Sequence, residues 1–288
     1  MMTKIKTRKS PAERRAELEQ LHAMIAEQVD ALTDSETWAN VLRMATLFRR
    51  YSLNNLLLIR AQCPHATRVA GYRTWQKLGR QVRAGEKHIK IIGRQVKTIE
   101  HAEDSGEDKV QVYWPQRRVF DISQTDPIPG ADQIPDPAPR LRGGDNAGIY
   151  EAAYAWLTED GWTVERSPLS GEDGHTDPRS RIMRIEESLE PAHASLTILH
   201  EAAHGLLPVE MNEYHQHQGL YEAEAESIAY VVAGTLGQDT SANSIGYIAT
   251  WTRGDRDVLR ASGVRVIDTA HRILAAITEV TDPDTDAD

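Results

Sequence analysis

The decapeptide TILHEAAHGL, residues 197–206, sets two histidines four residues apart with a glutamate directly after the first. On a helix, positions i and i+4 lie ~40° apart around the axis and one turn apart along it, so His200 and His204 share a face. Two neutral imidazoles on one face begin a zinc site. Glu201 is placed to take a proton from water activated there and pass it to a leaving amine. Leu196, Ile198, Leu199, Leu206 and Leu207 give the segment the character of a buried helix, and Ala202 and Ala203 leave room beside the imidazoles. Histidines and a glutamate buried in such company are costly unless an ion compensates them.

Two histidines are not enough. A catalytic zinc takes three protein ligands and keeps a fourth position open. A closely following third histidine, as in metzincins, is absent, because position 207 is Leu and position 210 is Glu. The segment YEAEAES, residues 221–227, offers Glu222, Glu224 and Glu226 instead. Ala225, Ile228, Ala229, Val232 and Leu236 define an apolar stripe. Helical rotation then puts Glu222 nearest the buried face and turns Glu224 toward solvent. Glu226, one turn beyond Glu222, stands where a carboxylate could accept the free N–H of a ligating histidine. Glu226 and His215 are the next candidates for the third ligand. Tyr247, in NSIGYIATW, either donates a hydrogen bond to an oxyanion or simply packs.

The rest of the chain divides by charge. Residues 41–100 carry 13 Lys/Arg against two acids, Glu86 and Glu100, while residues 101–288 have a net charge of −20, within a whole-chain charge of −10. Such asymmetry points to two modules with different partners, the basic one suited to nucleic acid. A cationic groove with aromatic faces is what sequence-independent single-strand binding needs. The basic stretch supplies Arg49, Arg50, Arg68, Lys77, Arg80, Arg83, Lys87 and Lys90, interleaved with Tyr51, Asn55, Tyr72 and Trp75; Tyr113 and Trp114 follow on a later strand. Against this stands a plain solvated basic face with core aromatics. No zinc-finger or RNP pattern is present, so base-specific reading is not indicated.

No apolar run approaches the ~20 residues of a membrane span, the N-terminus lacks an apolar signal core, and a lone cysteine, Cys63, permits no internal disulfide. A cytoplasmic protein without membrane contact is expected. The periodicity predicts helices over 11–31, 35–50 and 52–62, then a long hairpin of 88–99 with 109–122. TDPIPGADQIPDPAPRLRGGDN, residues 125–146, holds five of the 13 prolines and reads as a linker. Beyond it come a helix over 147–158, strands over 162–167 and 181–186, the HEAAH helix, and further helices ending with 256–278. The expected organisation is two α+β domains: 1–124 as a helix-plus-hairpin DNA-binding domain and 147–280 as a zincin-like metallopeptidase domain. The linker 125–146 joins them, and an acidic tail, 281–288, follows.

HEAAH followed by EAEAESIAYVV and NSIGYIATW resembles the ImmA/IrrE-type zinc metallopeptidase domain over roughly 148–280. The upstream stretch RRYSLNNLLLIRAQCPHATRVAGYRTWQKLGRQVRAGEKHIKII, closing with VFDISQT, resembles the N-terminal single-stranded-DNA-binding domain of ArdC-type anti-restriction proteins. The resemblance implies single-stranded DNA as one partner and a peptide or protein substrate as another. It also implies one Zn²⁺ held by His200, His204 and Glu222 with Glu201 catalytic, and a role protecting incoming mobile-element DNA. Two other readings stay open: a regulatory protease that cleaves a repressor, and a DNA-binding protein whose metal is structural.

Overall fold

The computed structural model describes residues 11–101, 108–131, 148–207, 211–238, 240, 248–252 and 255–278. In chain order these form α1 (Pro11–Ala31), α2 (Ser35–Leu47), α3 (Leu53–Gln62), β1 (Val69–Ala70), α4 (Tyr72–Lys77), β2 (Arg80–Val82), β3 (Ile89–Ile92), β4 (Gln95–His101), β5 (Asp108–Tyr113), β6 (Gln116–Asp121) and β7 (Thr125–Pro127). Then follow α5 (Ile149–Glu159), β8 (Thr163–Ser167), β9 (Gly174–Asp177), β10 (Ile182–Glu186), α6 (Pro191–Leu206), α7 (Met211–Thr235), α8 (Ala249–Thr252) and α9 (Arg256–Ile277). The fold is mixed helix and sheet.

The described chain packs as two compact units, and they are not consecutive along the sequence. Residues 11–28 and 57–131 form the first; residues 29–56 join those from 148 onward in the second. The contiguous division expected at 124 and 147 therefore differs from the packing at α2, which sides with the C-terminal residues. Part of the expected linker is ordered as well. Thr125–Pro127 pairs antiparallel with Arg80–Val82 as a two-stranded sheet.

In the first unit the expected hairpin forms, but as two ladders in series. β3 pairs with β6 and β4 with β5, with Gly93 N–H donating to the Pro115 carbonyl between them. Asp121, at the end of β6, is fully buried. Its carboxylate accepts N–H bonds from Thr67 and Arg68 at 2.9 and 3.1 Å and from Ser123 at 2.9 Å. Burial pushes its pKa up, but the bonds from Ser123, Arg68 and Thr67 outweigh that and leave it below the ordinary value. One side chain thus ties the approach to β1 onto β6.

In the second unit the sheet order is β8-β10-β9, with β8 parallel and β9 antiparallel to the central strand. Met183 and Ile185 of β10 are wholly buried. Asp34 caps α2 by accepting from Thr37 N–H at 2.7 Å; Asp255 caps α9 through Asp257 and Val258; Pro191 opens α6, where its missing N–H costs nothing. Helix α7 packs against α6, α9 and α2. It breaks at His217, whose φ of −128° and ψ of 24° are non-helical, so the phase of residues 218–235 is set after that break. At Gly234 an added Cβ would come within 2.9 Å of Thr46 Cγ2 on α2, so that crossing needs glycine.

Candidate metal centre and nucleic-acid interface

Helix α6 is buried along most of its length, and the imidazoles emerge from its partly exposed edge. His200 Nε2 and His204 Nε2 stand 3.0 Å apart, and Glu222 Oε2 of α7 lies 3.3 Å from the first and 3.4 Å from the second. Three ligand atoms placed ~2.1 Å from one tetrahedral ion stand about 3.4 Å apart. The three separations match that geometry, and among the described residues this is the group of His, Cys, Asp or Glu side chains that converges within 4.8 Å. Burial pushes the His200 imidazole pKa down, but the bond its N–H donates to Glu222 and the nearby Glu201, Glu222 and Glu226 charges more than reverse it. The surroundings favour positive charge at this point.

Glu201 is 6% exposed and faces β9. Its Oε2 accepts from Thr176 Oγ1 at 2.7 Å. His200, Glu201, His204, Glu222 and Glu226 line one open cleft of ≈ 1240 Å³, walled by residues 172–179 of the β9 segment and by Tyr221 and Tyr230 of α7. Glu226 is half-buried, one turn from Glu222. Burial raises its pKa, His200 lowers it, and Glu222 raises it further. Tyr247 lies outside the described residues.

Glu224 corrects the sequence reading. Expected to face solvent, it is wholly buried, bonded by Ser262 Oγ and by Arg265 of α9, whose Nε lies 3.1 Å away. The single apolar stripe misled because α7 is covered on several sides: Glu222 turns to α6 and Glu224, ~200° round, to α9.

The basic residues divide between the two units. Arg49, Arg50, Tyr51 and Asn55 belong to the second unit, and Arg68, Tyr72, Trp75, Lys77, Arg80, Arg83, Lys87 and Lys90 to the first. Trp75 offers no stacking face: it is 0% exposed and its Nε1 donates to the Phe120 carbonyl at 2.8 Å, which makes it core. Several cations are engaged within their own units. Arg49 donates to the Thr235 carbonyl, Arg80 to Thr125 Oγ1 and carbonyl, Arg83 to Glu86 and Asp126, and Lys90 to Glu17. Arg50, Lys77 and Lys87 are exposed, Asn55, Tyr51 and Arg68 half-buried, and Tyr72 is 44% exposed. Among the described residues the most open aromatic is Trp114, 57% exposed beside Tyr113 on the hairpin, where Arg94 and Arg118 are also exposed.

What the fold and the site define is a mixed α and β protein in which a helix-borne His–Glu–His set is completed by a carboxylate of the next helix. Residues 15–121 match the family described as the N-terminal domain of anti-restriction factor ArdC. An uncharacterized protein of Bacillus anthracis is 27% identical over 275 residues, covering 80% of this chain. The chain covers 46% of that relative, about half its length. Crystal structures of the antirestriction ArdC protein from the R388 plasmid also align with it. The metal-free form is 21% identical over 77% of this chain and 82% of its own, with a TM-score of 0.47; the Mn(II)-bound form is 19% identical over 77% and 86%, with a TM-score of 0.41. Among the described residues, no helix is long and apolar enough to cross a membrane.

Proposed function

We propose that this chain is an anti-restriction protein that binds single-stranded DNA and carries a zinc-dependent, zincin-like metallopeptidase unit. The match of residues 15–121 to the ArdC N-terminal domain carries the anti-restriction reading. An excess of cations over 41–100 and the exposed Trp114, Tyr113 and Tyr72 support a DNA partner, since bases of any sequence can stack on such rings.

The convergence of His200, His204 and Glu222 supports a divalent ion, and two imidazoles with one carboxylate suit zinc. Bound there, the ion would supply a Lewis acid that acidifies water and polarises a carbonyl. Glu201 accepts the proton from water on its carboxylate and returns it to the leaving amine. Glu226 supports the site electrostatically from one turn away. Tyr247 is retained as the oxyanion donor. The open cleft of ≈ 1240 Å³ beside the triad favours this hydrolytic reading over a closed structural metal, and a peptide fits it as substrate.

Two measurements test the reading. Metal analysis of freshly purified protein should find about one zinc per chain, with manganese assayed alongside. Transfer of DNA into a restricting host should be protected by the wild type and lose protection when Lys77, Lys87 and Trp114 are together changed to Ala. Comparing Glu201→Ala in the same assay reveals whether hydrolysis contributes. Absence of any divalent metal defeats the enzyme reading, and unprotected transfer with the wild type defeats the anti-restriction reading.

A further inference from the structure

Nothing in the HEAAH motif says what holds its glutamate still. The answer lies on β9, 25 residues upstream. Thr176 pairs with Met183 and Gly174 with Ile185, both wholly buried, so strand alternation turns Gly174 and Thr176 to the face that packs on α6. The Thr176 hydroxyl has one proton and two acceptors in reach, Glu201 Oε2 at 2.7 Å and the Glu201 carbonyl at 3.1 Å. On its other side the carboxylate lies directly over Gly174. A Cβ there would come within 2.5 Å of Oε1, 2.7 Å of Cγ and 2.8 Å of Thr197 Cγ2. Gly174 is not in the left-handed region, so close approach, not backbone conformation, is what the glycine provides.

We infer that Thr176 and Gly174 are positioning residues for Glu201, one donating the bond that fixes its carboxylate and the other supplying the gap in which that carboxylate sits. The inference rests on the hydrolase reading above. A buried carboxylate needs a hydrogen-bond partner, and Thr176 supplies one while fixing the side-chain rotamer. Orientation matters because a base displaced by ~1 Å can lose two orders of magnitude in rate. Neither residue belongs to the converging set of His200, His204 and Glu222, so metal retention and base placement are separable.

The test uses full-length zinc-loaded protein and acetohydroxamic acid. This probe chelates a divalent ion through two oxygens and gives up its hydroxyl proton to an adjacent carboxylate, here Glu201. Calorimetric titration should show Thr176→Val binding the probe about tenfold more weakly, the usual worth of a hydrogen bond to a charged group. Zinc content and melting temperature should match wild type. Thr176→Ser, which keeps the hydroxyl, should restore the affinity, a rescue that lost packing cannot imitate. Glu201→Gln should be weak whatever stands at 176. Equal affinity of wild type and Thr176→Val overturns the positioning role alone. Wild type that holds zinc yet does not bind the probe overturns the hydrolase reading and this inference with it.

Discussion

Glu222 and Glu224 sit two residues apart on α7 and meet opposite fates. On one face Glu222 leans toward two imidazoles at 3.3 and 3.4 Å, half-open to the cleft. On the other, Glu224 is buried against Ser262 and Arg265 and belongs to the fold. The difference teaches that the identity of an acid says little about its role. What decides is the group waiting on the helix it faces: imidazoles can host an ion, whereas a guanidinium is itself the countercharge.

The largest effect that would break this contrast is in Glu222→Ala. If Glu222 is a ligand, its removal loses the metal and the associated stability, worth about 4 kcal/mol when free metal is 1,000 times Kd. Metal analysis and melting with and without added zinc measure it; full occupancy in the variant would make Glu226 or His215 the ligand. Glu224→Ala should cost roughly 3 kcal/mol in urea unfolding, at the low end for a broken buried pair because Arg265 keeps some access to water. It should keep its zinc, so the two variants exchange phenotypes if the faces have been misread.

The first unit offers the same contrast in two tryptophans. Trp114→Ala should weaken single-stranded DNA binding by about 2 kcal/mol with little loss of stability. Trp75→Ala should do the reverse, because its ring fills the core. Fluorescence anisotropy at matched salt, with duplex DNA as the comparison, separates them. Equal or tighter duplex binding would count against a single-strand preference.

Smaller again, Glu226→Ala should weaken zinc about tenfold without abolishing it, the usual scale for a carboxylate supporting the ligands. The smallest expected effect concerns Asp121. Its folded pKa is depressed, so its stabilisation is present above the unfolded value of about 3.9 and fades as pH falls through the folded one. Protection of the Thr67 and Arg68 amides, measured relative to the intrinsic exchange rate at each pH, should therefore fall as the solution is acidified below about pH 4. Asp121→Asn should flatten that dependence.

Much of this was legible because local physics dictates it. The i, i+4 histidines and the hairpin follow from short-range rules, and the helices expected at 11–31 and 256–278 appear at Pro11–Ala31 and Arg256–Ile277. What escaped depends on partners distant in sequence. Glu224 is buried because α9 brings Arg265 to it. Trp75 sits on the short helix α4, which no periodicity reveals in six residues. Thr176 and Gly174 occupy a four-residue strand whose sequence, GHTD, has no apolar alternation to announce it. The glycine beside a polar residue was the one available hint of a close backbone approach.

The interrupted order of the second unit has a consequence for how the chain comes into being. Helix α2 is made early, yet its packing partner α7 begins at residue 211, and Leu53 must wait for Gly263 of α9. At ~5–20 residues per second of synthesis, roughly ten to forty seconds separate the two halves of that core. For that interval the side chains of Trp38, Val41, Leu42 and Leu53 lack the surface they finally share, and closing so long a loop must precede the reward. Helix α2 therefore waits with its apolar face uncovered during synthesis, and slower translation of the downstream half lengthens that wait.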